Sequence, residues 1–230
     1  MEYIRPVATE PARQEAPVER VRDGVFFTLP DALPRGRHKL TREQVSHAQQ
    51  ERMLAAVTEL LAAHGYRGFG VGDVASRAGV SLGTFYRCFE SKDACVFAGY
   101  DRFIEVLLTR MAAVDVPNDD RPALTAALIG AYLETLQQDL VVARAYQVEI
   151  DALGPPARAR RREALTLFAS HIRDRVARSG GGELPWTAYI GVVYAARQLA
   201  SDALDTAAEP DLPALGSDLQ IWLSDLFRAR

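Results

Sequence analysis

The sequence predicts an all-α fold of about nine helices. From about Thr41 onward, apolar residues recur at spacings of three and four, which is the period of an amphipathic helix. Strand-like alternation is almost absent over the same range. Glycines follow several of the apolar stripes, as at Gly65 and Gly79, where a helix end favours a left-handed residue.

The composition excludes several classes of protein. Of the 230 residues, 48% are hydrophobic and 25% are charged, which are ordinary values for a globular chain and not those of a disordered, collagen-like or disulfide-scaffold protein. Two cysteines, Cys88 and Cys95, are too few for a disulfide framework and indicate a reducing compartment. The apolar runs are far shorter than the ~18 residues of a membrane span, and the N-terminus shows no apolar signal segment. We therefore expect a cytoplasmic protein without a membrane partner.

The charges are unevenly distributed along the chain, although the net charge is only −3. The segment from Arg35 to Lys92 holds nine basic and five acidic residues, whereas residues 111–230 hold twelve basic and sixteen acidic residues. This asymmetry suits a protein that contacts a polyanion with its front part only.

Residues 1–40 predict a flexible N-terminal extension, because five prolines and scattered charges leave little periodic apolar content. The cluster Val25-Phe26-Phe27 is the exception, and we expect it to pack locally on the folded body, with a partner site as the alternative. Basic residues precede the first helix and predict either an arm that follows DNA or a solvated linker; they are Arg35, Arg37 and Lys39.

The front helices are predicted in order from their stripes and end signals. A first helix carries Met53 to His64 and ends at Gly65, and a short second helix runs from Val71 to Ala78 and ends at Gly79. A third covers about Ser81 to Phe89, and Ser91 opens a long fourth helix that ends near Val116.

The second and third helices fit a helix-turn-helix. Such a motif needs a small residue where the helices cross, a turn residue that tolerates positive φ, and a cap for the second helix; Ala75, Gly79 and Ser81 supply them. Phe85 and Phe89 share an inward face. The remaining side chains of the third helix are expected to face outward, as on a recognition helix in a major groove; they are Leu82, Gly83, Thr84, Tyr86 and Arg87.

The rear part predicts five more helices. The second of them is expected to run as one helix to Leu153, before a Gly-Pro-Pro break. The last carries a 3-4-3-4 spacing that is typical of a seam packed along a partner helix. The predicted spans are about Arg121–Gln138, Leu140–Leu153, a helix containing Leu165–Val176, Pro185–Leu204 and Leu212–Leu226.

The stretch Ala75–Lys92, A-S-R-A-G-V-S-L-G-T-F-Y-R-C-F-E-S-K, resembles the signature of TetR-type transcriptional regulators. Gly65-Tyr66 and Lys92-Asp93 resemble it as well, and the likeness is strong over residues 41–100. The sequence departs from the pattern at Gly70, a weaker cap than the usual Ser or Thr, and at Cys88, where an aromatic residue is common. The resemblance implies residues 41–92 as the DNA-binding domain, residues 93–120 as a connecting helix and loop, and residues 121–230 as a ligand-binding and dimerisation domain.

The resemblance also implies which side chains contact DNA. Thr84, Tyr86 and Lys92 would touch the duplex, with Tyr86 and Lys92 on phosphates and Lys92 aided by its helix N-terminus. Leu82 and Gly83, following the cap Ser81, would lie close to the groove. Arg87 reaches either a base edge or a phosphate.

In a protein of this kind the rear helices enclose a ligand cavity, so their aromatic and polar residues are candidate lining residues as well as ordinary core. The candidates are Tyr132, Tyr146, Glu149, Phe168, Trp186, Tyr194 and Arg197. Glu149 and Arg197 lie among apolar neighbours, where an unpaired charge is costly, so they are expected either to pair with each other or to meet a ligand.

A dimer is expected, because one short recognition helix reads few base pairs and a two-fold dimer reads two half-sites. Its interface would be a four-helix bundle of the last two helices of each subunit, and its predicted residues are Leu212, Leu215, Leu219, Trp222 and Leu226.

The prediction is a DNA-binding regulator, by family default a repressor, that binds a palindromic operator as a homodimer and is released by a small-molecule effector. One alternative is a helical enzyme or ligand carrier whose helix-turn-helix is structural, and another is a regulator that senses oxidants through Cys88 and Cys95. No catalytic residue, metal site or cofactor is expected, because the sequence shows no paired carboxylates, activated nucleophile, phosphate loop or metal-ligand spacing.

Overall fold

A computed structural model describes residues 18–30, 40–116, 121–178 and 184–228, without the side chains of residues 121, 122 and 223–228. These residues form nine α-helices and two short 3₁₀ turns, and they contain no strand beyond one isolated bridge between Asp23 and Phe27, so the all-α prediction is confirmed. The helices are α1 (Arg42–His64), α2 (Val71–Ala78), α3 (Leu82–Cys88), α4 (Lys92–Ala112), α5 (Arg121–Gln138), α6 (Leu140–Gln147), α7 (Pro155–Arg178), α8 (Trp186–Thr206) and α9 (Leu212–Arg228).

The front helices begin and end where their cap residues predict. The Ser81 hydroxyl accepts a hydrogen bond from the Thr84 amide at 3.1 Å, and the Ser91 hydroxyl accepts one from the Ala94 amide at 3.1 Å. Gly79 ends α2 in the left-handed conformation, with φ 64° and ψ 39°. Asp73 compensates for the weak cap at Gly70, because its carboxylate accepts a hydrogen bond from the Gly70 amide at 2.8 Å.

Two helix ends differ from the predictions. The helix expected to continue to Leu153 stops at Gln147, and a 3₁₀ turn follows over Glu149–Leu153. Periodicity alone does not separate the two, because a 3₁₀ turn continues a helical spacing. Helix α4 ends at Ala112, before the expected end near Val116.

The expected flexible extension is folded where it is described. In residues 18–30, Val21, Phe26 and Phe27 are buried in the common core, so the expected local packing of the Val25-Phe26-Phe27 cluster is confirmed. Residues 18–30 are therefore ordered rather than flexible, because their apolar side chains and backbone amides find partners on distant helices that the local sequence does not show.

Helix α9 lies on α5 of its own chain. Leu212 and Leu219 are buried there, and a Cβ added at Gly216 would lie only 3.2 Å from Cδ1 of Leu133. Leu212 and Leu219 therefore serve the protomer core, with Leu215 partly buried beside them, and the predicted dimer seam through these residues stays a prediction. The side chain of Leu226 lies outside the described residues.

Among the described helices, none is both long and apolar enough to cross a bilayer.

Candidate DNA-binding surface and ligand cavity

Helix α3 presents one face to solvent. Phe85 is fully buried beneath it, while Leu82 is 52% and Tyr86 58% exposed. Gly83 is exposed between them. Leu82, Gly83 and Tyr86 thus share one solvent-exposed side of a short helix, which leaves this face accessible to another molecule.

Thr84 does not belong to the exposed face as predicted. It is only 9% exposed, and its hydroxyl lies 3.0 Å from the Ser81 hydroxyl. Arg87 covers it from the other side, since Nη2 of Arg87 donates a hydrogen bond to Oγ1 of Thr84 at 3.1 Å. Thr84 therefore shares the inner side of α3 with Phe85, and Arg87 is the cation that reaches the surface above it.

Lys92 is already bound within the protein. Its ammonium donates hydrogen bonds to the carbonyl oxygens of Tyr66 and Phe69 at 2.7 and 2.9 Å, and it lies 4.0 and 4.6 Å from the centres of their rings. Partial burial lowers the pKa of Lys92, while the neighbouring Asp93 opposes the shift. Two of its three N–H donors thus tie α4 to the turn before α2, which leaves one donor for a phosphate.

The predicted basic arm, Arg35, Arg37 and Lys39, lies outside the described residues.

The rear helices enclose a cavity behind this surface. It holds about 540 Å³ of empty space, counting the part open to solvent, and its walls come from α4, α5, α6, α7 and α8. Most of the lining is apolar, as in other small-molecule sites. Leu107, Leu128, Leu165, Ile172 and Val193 are typical of it.

One end of the cavity is polar. The carboxylate of Asp151 is paired with Arg161, and its Oδ2 lies 3.7 Å from Nη2 of Arg197. Arg197 also donates a hydrogen bond to the Gln147 carbonyl at 2.9 Å. Two cations against one carboxylate give this end a net positive charge.

Three buried polar atoms at this end lack a well-aligned hydrogen-bond partner among the described residues, namely the Tyr132 hydroxyl, Oε1 of Gln147 and Oδ1 of Asp151. Burial raises the pKa of Tyr132, and the charge of Arg197 and the nearby Gln147 side chain oppose the rise. The hydroxyl is therefore neutral and can donate a proton. Because an unpaired buried polar group is costly, this end is suited to receive a polar ligand group.

The structure brings together four of the seven candidate ligand residues and not the others. Tyr132, Tyr146, Phe168 and Arg197 line the cavity. The remaining three, Glu149, Trp186 and Tyr194, are not part of its lining, and the last two are exposed.

Of the two alternatives expected for Glu149 and Arg197, a mutual ion pair or a ligand contact, the ion pair does not occur. Arg197 is paired with Asp151, and the Glu149 carboxylate lies instead beside Gly65, where an added Cβ would be 3.0 Å from its Oε2. Burial raises the pKa of Glu149, and Asp205 adds to the rise.

Sequence reasoning missed one wall of the cavity and part of its polar end. Tyr100, Phe103, Leu107 and Met111 of α4 form that wall. Their helical spacing marks an apolar face, but it does not show whether that face meets the core or a cavity. Arg161 lies in a sequence rich in arginine, and only the fold directs Arg160 to Asp101 and Arg161 to Asp151.

The cysteines give little support to the thiol-sensor alternative. Burial raises the pKa of Cys95 far above its ordinary value, which suppresses the reactive thiolate. Cys88 is half-buried. In the described part of the chain, no group of His, Cys, Asp or Glu side chains is suited to hold a metal ion.

Residues 53–98 match the model of a protein family described as bacterial regulatory proteins, tetR family. The matched stretch runs from α1 through the helix-turn-helix into α4. Among curated proteins, none matches the sequence.

Several solved structures have a similar fold. The fatty acid degradation regulator FadR from Bacillus halodurans is 20% identical, over 79% of this chain and 97% of that chain, with a TM-score of 0.67. A transcriptional regulator from Rhodococcus sp. RHA1 is 24% identical, over 78% and 96%, with a TM-score of 0.63. FadR from Bacillus subtilis, in complex with stearoyl-CoA, is 20% identical over 75% and 96%, with a TM-score of 0.62.

Proposed function

We infer that this chain is a transcriptional regulator of the TetR family, which binds an operator through α3 as a dimer and is released when a small molecule fills the cavity. The match of residues 53–98 to that family and the similar fold of FadR support this inference. The observation that carries the proposal is the position of α4. Lys92 at its first turn holds the DNA-binding domain, and Phe103, Leu107 and Met111 further along line the cavity. One rigid helix therefore connects the two sites.

For DNA, the proposed contacts are those of the exposed side of α3. Tyr86 donates its hydroxyl to a phosphate, Arg87 reaches a phosphate or a base edge, and Leu82 lies against the groove wall with Gly83 beside it. Lys92 contributes its third N–H to a phosphate. Thr84 acts indirectly, because its hydroxyl holds the Arg87 guanidinium.

A dimer is proposed through the outer faces of α8 and α9. Ile221 is 72% and Trp222 48% exposed on α9, and Tyr194 and Leu199 are exposed on α8. Apolar side chains exposed together on two long helices mark an interface. Two-fold pairing of these helices would present two recognition helices to successive half-sites.

The proposed effector has an apolar body and an anionic or carbonyl head. The apolar walls suit an alkyl chain, and the Arg161–Asp151–Arg197 group with the Tyr132 hydroxyl suits the head. The stearoyl-CoA bound by FadR from Bacillus subtilis is a ligand of this kind. A groove between α4 and α7 shares Tyr100, Ile104 and Ala164 with the cavity and offers an entrance.

The test is selection of bound sites from random DNA with the purified protein, followed by titration of the selected site with palmitate and stearoyl-CoA. A palindrome released by either lipid supports the whole proposal. A palindrome that neither lipid releases, from a protein that also fails to bind them, contradicts the effector class only. No enrichment would contradict the DNA-binding role and favour a ligand carrier.

A further inference from the structure

The described N-terminal segment, residues 18–30, is folded onto the body as a compact strap. Gly24 has a φ of 76°, and its amide donates a hydrogen bond to the Phe27 carbonyl at 2.9 Å, which turns the chain sharply. The Asp23 carboxylate accepts a hydrogen bond from the Leu29 amide at 2.7 Å. The turn directs Phe26 and Phe27 inward, where both are buried.

Three buried carboxylates of the body accept hydrogen bonds from the strap backbone. The Val21 amide donates to Glu59 of α1 at 3.0 Å, and the Thr28 amide donates to Glu51 of α1 at 3.3 Å. The Arg22 amide donates to Asp139, the cap of α6, at 2.6 Å. Each of the three carboxylates also has a partner within the body, namely Arg102 for Glu51, Arg77 for Glu59 and the first amides of α6 for Asp139. The strap can therefore loosen without leaving a buried carboxylate unpaired.

The strap is tied to the helix-turn-helix through Arg77 of α2. Nη2 of Arg77 donates to the carbonyl oxygens of Val18 and Glu19 at 3.1 and 3.3 Å, and its Nε is paired with Glu59. Release of the strap would therefore break both hydrogen bonds that Nη2 of Arg77 makes to the strap and leave Arg77 its ion pair with Glu59 of α1.

The strap is tied to the cavity through one aromatic contact. The ring of Phe26 lies 5.4 Å from that of Phe103, which lines the cavity and in turn lies 5.4 Å from the ring of Tyr146, another lining residue. A ligand that displaces Phe103 must shift Phe26 or lose this packing.

We propose that the strap is a second connection between cavity and helix-turn-helix, parallel to α4, running from Phe103 through Phe26 to Arg77. It rests on the proposed function in that it takes the cavity as the effector site. In the ligand-free state the strap holds α2 against α1. When the wall at Phe103 moves, the strap loosens, and α2 with the attached α3 gains freedom. A connection of this kind requires a segment whose binding both sites bias.

The experiment measures hydrogen exchange by mass spectrometry on peptides covering residues 18–30 and 71–78, with and without stearoyl-CoA as the probe. In the wild type the probe is expected to speed exchange in both peptides by about five-fold or more. In Phe26→Leu, which keeps apolar bulk but loses the ring contact, the probe is expected to bind as before while the response of residues 71–78 falls to less than half. Leu204→Val changes a buried α8 residue that is not part of the cavity lining, and as the control it should keep the full response.

The response of residues 71–78 in the Phe26→Leu variant decides whether the strap connects the cavity to α2. An equal response of residues 71–78 in Phe26→Leu and wild type would overturn the proposal and leave α4 as the sole connection. If stearoyl-CoA does not bind, the effector class fails and not the strap. The cavity is then filled from within by Leu107→Trp, or by Ile104→Phe should the first variant not fold, and the same comparison is made with and without Phe26→Leu. None of these readouts requires DNA.

Discussion

The hydroxyl of Tyr146 lies 2.8 Å from Oγ1 of Thr58, so a side chain of the cavity wall is hydrogen-bonded to α1 of the DNA-binding part. Thr58 donates its single proton to the Leu54 carbonyl at 2.7 Å, and Tyr146 must therefore be the donor between the two hydroxyls. Gly99 of α4 makes room for this contact, because a Cβ there would lie 1.9 Å from the Tyr146 oxygen.

The direction of this hydrogen bond predicts unequal effects of removing its two partners. Thr58→Val leaves the Tyr146 hydroxyl buried with an unused proton and should lower the free energy of unfolding by about 1–3 kcal/mol. Tyr146→Phe leaves Thr58 bonded to Leu54 and should cost only about 1 kcal/mol. Urea denaturation of both variants checks the order, and a larger loss in Tyr146→Phe would reverse the assigned donor.

Lys92 is expected to serve stability and DNA binding at once. Lys92→Met keeps the aliphatic stem but removes the ammonium, so the carbonyls of Tyr66 and Phe69 lose their donor, and the free energy of unfolding should fall by about 1 kcal/mol. Loss of one phosphate contact from each protomer of the proposed dimer should also reduce the salt slope of operator binding by about 1.8.

The two roles of Lys92 are separable by measurement. Thermal unfolding without DNA reports the first, and anisotropy titrations at several salt concentrations report the second. An unchanged melting temperature would contradict the bond to the carbonyls, whereas an unchanged slope would leave Lys92 as a purely structural residue.

The sequence was most informative where local geometry decides the outcome. Gly79, Ser81 and Ser91 each have one conformational or capping task that depends on a few neighbouring residues, and the structure confirms all three. The inward position of Phe85 follows from the helical period in the same way.

The sequence failed where the outcome depends on a distant partner. Leu212 and Leu219 have a seam spacing that fits a second subunit and α5 of the same chain equally well, and only the fold selects α5. Likewise the sequence does not identify Asp151 as the partner of Arg197, because Asp151 lies in a 3₁₀ turn that helical periodicity does not separate from α6.

Glu149 is expected to make stability depend on pH. Burial and Asp205 raise its pKa in the folded state, so the charged form is disfavoured on folding and the wild type loses stability as pH rises through the unfolded pKa toward the folded one. Glu149→Gln should therefore be more stable than the wild type at pH 7, by no more than about 0.5 kcal/mol given its solvent contact.

The pH profile distinguishes this from a packing effect. The gain of Glu149→Gln should vanish at pH values below the unfolded pKa of Glu149, where both side chains are neutral. Chemical denaturation across the acid range provides the comparison, and a gain that is constant with pH would exclude the carboxylate charge as its source.

Glutamate substitutions on the exposed side and on the buried side of α9 are expected to have different effects, the first on dimerisation and the second on folding. Ile221→Glu with Trp222→Glu changes exposed side chains, so the protomer should fold normally but remain monomeric, with operator affinity reduced at least about 100-fold because a second half-site is lost. Leu219→Glu introduces a charge into the α5 contact, where the leucine is only 6% exposed, and should lower the melting temperature sharply. Sedimentation and circular dichroism separate the outcomes: a stable dimer of the double variant would place the interface elsewhere, and an undisturbed Leu219→Glu protein would contradict the packing of α9 on α5.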